Sequence, residues 1–190
     1  GDDEDGVTMP ASIYAGGQIT LPVTVTNNTG APAYLNAWID YNNSGVVTDA
    51  GEQIATNILI DDGTMAEAQN LAFTAPTNAS VGSGRGVRFR LTSATSPGST
   101  GAGTTGEVED YVVSITAPTL DYGDFNLFPS ASSVGNSSLR LGSSVDVEGA
   151  AATNATATGD DTTGSDDENG VTVPGTITQG SNVTLTVNVT

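Results

Sequence analysis

An internal repeat constrains the fold of this chain more than any other feature of its sequence. Residues 165–190 align with residues 1–26 without a gap, at an offset of 164 residues. The two segments are identical at 14 of 26 positions, including Pro10/Pro174 and Leu21/Leu185. Such a repeat is typical of structural units in tandem, so we expect one full period of about 164 residues followed by the opening of the next copy, within a longer array.

The second copy of the repeat poses a packing problem. Both copies carry the alternating pattern of strands, but an isolated strand pair cannot bury an apolar face. Its open edge would also expose unpaired backbone groups. We therefore expect residues 165–190 to pair outside their own copy, either with the next copy in the array or with a neighbouring subunit by donor-strand complementation.

The charge balance excludes several classes of partner. The chain has 22 acidic and 4 basic residues, a formal net charge of −18, and neither Lys nor His. Nucleic acid and anionic membrane surfaces are disfavoured, because binding to either requires a basic patch. Charged residues make up only 14% of the chain and the acids cluster in short loops, which favours metal-binding loops over a salt-adapted surface. Cysteine is absent and no apolar run is long enough to insert into a membrane.

Short alternating runs separated by Gly, Ser and Thr predict an all-β fold with two antiparallel sheets packed as a sandwich. We expect Val87 and Phe89 to face inward, Arg88 and Arg90 to face outward, and Trp38 to lie in the core. Glu52–Ile60 is predicted as a strand or a short helical piece. The other predicted strands are Ile19–Thr26, Ala33–Asp40, Asn70–Thr74, Arg85–Leu91 and Val108–Ile115.

Composition divides the chain into three parts. Residues 1–116 contain the predicted sandwich. Residues 117–164 are rich in Ala, Ser, Thr, Gly and Asp, which predicts an irregular connector that is partly flexible. Residues 165–190 form the opening strands of the next copy.

One loop has the spacing of a calcium site. The segment DYNNSGVVTDAGE spaces oxygen side chains along a tight turn with Gly45 at its sixth position. Calcium takes six to eight oxygen ligands, and alternating loop positions direct such ligands inward. The alternative is a polar hairpin loop with Asx turns. The predicted calcium ligands in this loop are Asp40, Asn42, Ser44, Asp49 and Glu52.

Two further acidic groups could bind metal. In GEVEDY, Glu107 and Glu109 share one face of a strand, where like charges repel unless a cation or a basic group lies between them. The neutralising group is either the Arg88/Arg90 strand or a metal shared with the N-terminal acids. An acidic run in the second copy is predicted to bind calcium at the junction, with a solvated linker as the alternative. These groups comprise Glu107, Glu109 and Asp110 with Asp2, Asp3 and Asp5, and, in the second copy, Asp166 and Asp167.

The sequence offers no catalytic constellation. Paired carboxylates are used by glycosidases, but His and Cys are absent and aromatic residues are few. No Ser lies in a nucleophile-elbow context. We expect a protein that is not an enzyme.

Seven N-x-S/T sequons are present. If the chain is secreted by a glycosylating cell, these are potential acceptor sites; compositional bias alone is the alternative. The predicted glycosylation sites are Asn27, Asn78, Asn136 and Asn154.

The strings YLNAWIDYNNSG, DAGEQI, VRFRL and GEVEDY together resemble the GEVEDY domain of bacterial secreted and surface proteins. That resemblance implies an immunoglobulin-like β-sandwich in large extracellular multi-domain proteins, often in tandem. The family usually has an acidic residue at the position of Ser44, in a D-x-N-x-D-G loop, so this chain departs from the pattern there.

These observations predict a structural module of an extracellular fibre, stalk or surface-layer-like assembly, whose copies join head to tail by strand complementation and are stiffened by calcium. The alternative is an adhesin or a carbohydrate-binding accessory module of a large secreted protein. Such a module needs an exposed aromatic platform, for which Tyr14, Tyr34 and Tyr41 are the candidates.

Overall fold

The computed structural model describes residues 4–159 and 169–189. The chain forms two compact units, residues 1–118 and 119–190. The described residues contain strands and no helix, which confirms the all-β prediction. The strands are β1 (Ser12–Tyr14), β2 (Gln18–Asn27), β3 (Ala33–Ile39), β4 (Gln53–Ile60), β5 (Thr64–Thr74), β6 (Gly82–Thr92), β7 (Gly106–Thr116), β8 (Leu120–Tyr122), β9 (Ser132–Val134), β10 (Val171–Thr172) and β11 (Thr186–Val187).

The first unit is built from two sheets. One sheet has the order β1-β7-β6-β3-β4, and the other pairs β2 with β5. All pairings are antiparallel except that of β1, which runs parallel to the end of β7. The two sheets enclose one hydrophobic core in a sandwich-like arrangement, as the alternating runs predict.

The alternation of β2 shows why these residues form strands. Leu21, Val23 and Val25 are buried, while the Thr and Pro residues between them are exposed. Because successive side chains of a strand point to opposite faces, these three apolar side chains all lie on the inner face. Val87 and Phe89 of β6 lie in the same core, as expected.

The outward face of the larger sheet is also covered. Arg90 is buried there, and its guanidinium donates to the backbone carbonyls of Pro97, Gly98, Thr100 and Gly101. Trp38 lies on this same outward face, in register with Arg88. Trp38 is buried, yet it does not belong to the core cluster between the sheets. The prediction that Trp38 is buried is confirmed, but its side chain packs beneath the loops of the outer face and not in the cluster between the sheets.

The second unit has short strand pairs, β8 with β9 and β10 with β11. Buried Asp124 accepts the backbone N–H of Gly159 at 2.8 Å, and Glu148 accepts that of Tyr122 at 3.1 Å. The described residues of this unit contribute nothing to the hydrophobic core cluster. Among the residues that the structure describes, no helix is long and apolar enough to span a membrane.

Candidate functional site

The loop between β3 and β4 holds the first predicted site. Asp40 follows β3 directly and Glu52 precedes β4, so the two strands fix both ends of the loop. Asn43 and Gly45 have positive φ angles of 61° and 83°, and these residues make the tight turn. Asn is one of the few non-glycine residues that tolerates this conformation. Gly45 thus has the conformational role that the spacing predicts.

Hydrogen bonds tie the predicted ligands to one another. Asp40 accepts the backbone N–H of Ser44 at 3.0 Å through Oδ1 and that of Gly45 at 2.9 Å through Oδ2. Asp49 Oδ2 accepts from the Asn42 amide at 2.8 Å and from the Ser44 hydroxyl at 2.9 Å. These two hydrogen bonds lower the pKa of Asp49, so its carboxylate stays ionised.

The carboxylate of Glu52 connects the two ends of the loop through hydrogen bonds. The Glu52 side chain is buried and accepts the backbone N–H groups of Asn42 and Asp49. Burial raises the pKa of Glu52, and the nearby charges of Asp40 and Asp49 raise it further. Burial beside Glu52 also raises the pKa of Tyr41. A cation between these carboxylates would relieve their mutual repulsion.

The arrangement of the loop does not by itself form a metal centre. Across residues 4–159 and 169–189, no group of three or more acidic side chains is placed to hold a metal ion. The oxygens of Asp40, Asn42, Asp49 and Glu52 instead satisfy donors within the loop. Calcium at this loop stays a prediction, and the hydrogen-bonded loop fits the Asx-turn alternative as well.

The GEVEDY motif lies on β7 and divides its acids between two faces. Asp110 faces outward and forms a bidentate pair with Arg88, with distances of 2.7 Å from Nε and 2.5 Å from Nη2. Glu107 and Glu109 both border a small cavity between the sheets, as their shared face predicts. An arginine therefore pairs with Asp110, and Arg90 binds loop carbonyls instead of the two glutamates.

Glu109 and Tyr111 anchor the N-terminal segment. Glu109 Oε1 accepts the backbone N–H of Gly6 at 3.1 Å, and its Oε2 accepts the Tyr111 hydroxyl at 3.0 Å. The Tyr111 oxygen accepts the backbone N–H of Val7 at 3.1 Å. A Cβ at Gly6 would lie 3.0 Å from Glu109 Oε2, so a glycine fits this close approach. We call this group, Gly6, Val7, Glu109 and Tyr111, the latch.

The latch joins two sequence motifs from opposite ends of the first unit. The Gly-Val pair of DDEDGV donates its backbone N–H groups to the second Glu and the Tyr of GEVEDY, which are Glu109 and Tyr111. Sequence reasoning missed the role of Tyr111 and assigned Glu109 to a metal or an arginine. Asp5 lies near enough to raise the pKa of Tyr111 further. Asp2, Asp3, Asp166 and Asp167 lie outside the described residues.

The predicted glycosylation sites differ in accessibility. Asn27 is buried, and its amide nitrogen donates to the carbonyls of Ala31 and Ile60. A glycan would have to replace these hydrogen bonds, so the folded structure argues against Asn27 as an acceptor. Asn78 is exposed, whereas Asn154 is half-buried and donates to Thr158. The side chain of Asn136 accepts the backbone N–H of Ser138 in an exposed turn.

The two copies of the repeat share their local backbone structure. Val7 pairs with Val23 in the first copy, and Val171 pairs with Val187 in the second, at the same offset of 164 residues. In both copies the carbonyl of the glycine before that valine accepts a backbone N–H at 2.8 Å, from Thr24 and from Asn188. Gly16 and Gly180 both have φ of 81°. The repeat therefore extends from sequence to hydrogen bonding.

The burial of the two copies is opposite. Leu21, Val23 and Val25 are 2%, 3% and 4% exposed in the first copy. Their equivalents Leu185, Val187 and Val189 are 45%, 51% and 75% exposed. The first copy packs against β5 and the core, whereas the described residues of the second unit provide no strand equivalent to β5 beside β11.

Comparison with known families identifies the first unit. Residues 34–114 match the GEVED domain family, a span that runs from β3 into β7 and includes the 40–52 loop, Glu109 and Tyr111. A comparison with curated proteins found no significant match. The family span thus includes one half of the latch, while Gly6 and Val7 lie before it. Over residues 34–114, therefore, the chain matches the GEVED domain family.

Proposed function

We propose that the protein is a non-catalytic structural repeat module of an extracellular fibre, stalk or surface-layer-like assembly. Copies join head to tail when the segment 169–189 of one copy is completed by the sandwich of another. The observation that carries this proposal is the opposite burial of Leu21 and Leu185, two residues with the same place in the repeat. An exposed alternating segment, whose described pairing is limited to the two-residue β10 and a bridge to Leu141, is a template for strand addition.

The latch supplies the chemistry of the join. Glu109 and Tyr111 bind backbone N–H groups of a Gly-Val pair, and the second copy repeats that pair as Gly170-Val171. Because the contact is made to backbone groups beside a glycine, the second Gly-Val pair offers the same donors as the first. We propose that Gly170 and Val171 are received by the equivalent Glu and Tyr of the next copy in the array, as Glu109 and Tyr111 of this copy receive Gly6 and Val7.

We further propose that the sandwich is immunoglobulin-like. The sheet order β7-β6-β3-β4 corresponds to the G, F, C and C′ strands of variable-type domains, and the pair β2–β5 corresponds to B and E. The edge strands of the larger sheet are β1 and β4. Those edges are where one module of an array meets the next.

Calcium is proposed to stiffen the module through the 40–52 loop. Asp40 and Glu52 are buried acids in one loop, and repulsion from Asp40 and Asp49 contributes to the raised pKa of Glu52. Divalent cations favour such clusters of hard oxygen ligands. Extracellular calcium concentrations suit modules of this kind, since extracellular calcium sites bind with dissociation constants of about 0.1 to 1 mM.

The join is tested by sedimentation velocity and electron microscopy of the chain at increasing concentration. We expect end-to-end oligomers with one module per axial repeat, and their loss in the double variant Leu185→Asp, Val187→Asp. The control carries Val112→Asp and Leu139→Asp, which place the same charges on side chains that are also exposed. A wild-type chain that stays monomeric at every concentration would contradict strand complementation between chains.

A further inference from the structure

The outward face of the larger sheet contains a cleft that is separate from the latch and from the repeated segment. Trp38 lines it, and the cleft has a volume of about 440 Å³. Sites for small ligands typically measure about 300 to 1,000 Å³. The walls come from the 40–52 loop, from β4 and from the turn after β6. The lining side chains with polar groups are Thr48, Asp49, Gln53, Thr56, Ser96 and Ser99.

The walls of the cleft are held by hydrogen bonds before any ligand binds. The Gln53 amide donates to Asn36 Oδ1 at 3.3 Å. Ser96 is fixed to Asn57 by two hydrogen bonds, one from its backbone N–H at 2.7 Å and one to its hydroxyl at 3.1 Å. Ser99 is held through its carbonyl, which accepts from Arg88 at 2.9 Å. A preorganised wall loses little conformational freedom on binding.

One wall group lacks a partner. Ser99 is 4% exposed, and its enclosed hydroxyl makes no hydrogen bond with any described residue. Buried hydroxyl groups in folded proteins are almost always satisfied. A ligand that enters the cleft could supply the missing partner, since Ser99 is one of its lining residues.

The lining chemistry selects the ligand class. No basic side chain lines the cleft, which disfavours phosphates and other anions. Apart from Trp38 and Val47 the lining side chains are small or polar, which disfavours lipids. Hydroxyls, one amide and one carboxylate suit a neutral molecule with many hydroxyl groups, and the buried Trp38 borders the same cleft. We propose that the Trp38 cleft binds a neutral saccharide.

The experiment uses the fluorescence of Trp38, which is the only tryptophan in the chain. The full chain is titrated with glucose, galactose, mannose, N-acetylglucosamine and their disaccharides. We expect a saturable change with at least one of these sugars. Ser99→Ala should weaken binding by roughly threefold to tenfold, the effect of one hydrogen bond.

Two controls separate binding from folding. Ser83→Ala alters an exposed hydroxyl at the opposite end of β6 and should leave affinity unchanged. Ser99→Ala should also leave the melting temperature unchanged or higher, because it removes an unpaired buried hydroxyl. The proposal is overturned if no sugar in the panel changes the fluorescence, or if Ser99→Ala and wild type bind equally. Its failure would leave the strand join untouched, because the two rest on different residues.

Discussion

Gly6 shows how a single residue links the two sequence motifs of this chain. Its backbone N–H donates to Glu109, and the absence of a side chain lets the carboxylate approach closely. The sequence showed that Glu107 and Glu109 share a face, which the structure supports. The partner of Glu109 could not be predicted, because a backbone N–H 103 residues away leaves no mark in composition or spacing.

The latch predicts the effect of a methyl group at Gly6. In Gly6→Ala the new Cβ would lie 3.0 to 3.3 Å from both oxygens of Glu109 and the carbonyl of Thr24, so the carboxylate must move by a few tenths of an ångström away from its hydrogen-bond donors. We expect the free energy of unfolding to fall by about 1 to 3 kcal/mol, from lost hydrogen bonds to a buried carboxylate. Urea denaturation measures this change. Gly86→Ala is the control, since a Cβ there meets nothing within 4 Å; equal losses in both variants would contradict the latch.

The raised pKa of Tyr111 predicts that the free energy of unfolding depends on pH in the alkaline range. Burial, followed by its hydrogen bond to Glu109, raises the pKa of Tyr111 to about 12 from the ordinary 10.0. Between these values the unfolded chain loses the phenol proton while the folded chain keeps it. Stability should therefore fall as the pH rises from 10 to 12.

Denaturation of wild type and Tyr111→Phe across this range checks that prediction. The variant should start less stable, because it loses the bond to the Val7 N–H, but its stability should decline less steeply. The remaining slope reflects other groups, including Tyr41, whose pKa is also raised by burial. Parallel pH profiles for the two proteins would mean that Tyr111 ionises alike in both states.

At the scale of elements, alternation located most strands and missed the irregular ones. β2, β3, β6 and β7 match the predicted runs to within a few residues at each end. The first half of β5 (Thr64–Ala68, TMAEA) was missed because its residues do not alternate and Ala66 has a positive φ of 48°. β1 was missed because three residues in a parallel pairing carry no local signal.

The 40–52 loop predicts a response to calcium. Calcium at about one hundred times its dissociation constant should raise the free energy of unfolding by about 2.7 kcal/mol. Chelation should lower the melting temperature by the corresponding amount, measured by calorimetry. An unchanged melting temperature would refute calcium binding by Asp40, Asn42, Asp49 and Glu52.

Ser44→Asp sharpens this test. The substitution introduces the acidic residue that the resembled family has at this position, and a carboxylate is a stronger calcium ligand than a hydroxyl. We expect tighter calcium binding by titration calorimetry, together with lower stability in chelator, because the new carboxylate would repel that of Asp49. Ser93→Asp, on an exposed residue outside the loop, is the control.

At the scale of the whole molecule, identical residue types have opposite structural roles in the two copies. Leu21→Asp places a charge in the core and should abolish cooperative folding of the first unit or cost more than about 3 kcal/mol. Leu185→Asp changes an exposed side chain and should leave the unfolding of the monomeric chain nearly unaltered. Circular dichroism melts at low concentration compare the two, and similar losses in both variants would contradict the burial contrast.

The sequence predicted the repeat and its unpaired apolar face, but it could not predict how far the second copy would fold. The bridge Val171↔Val187 and the turn at Gly180 form because they need only local contacts. The burial of Leu185 needs strands that lie far apart in the chain, as β2 needs β5. Local structure therefore follows the repeat, while packing depends on partners.

Amide hydrogen exchange tests strand complementation most directly. Exchange is measured at Val23 and Val187, which are equivalent in the repeat, in dispersed chains and in native assembled material. We predict slow exchange at Val23 in both samples, and fast exchange at Val187 that becomes as slow as Val23 on assembly. Val187 amides that stay unprotected in the assembled material would contradict the proposal that another copy completes the segment 169–189.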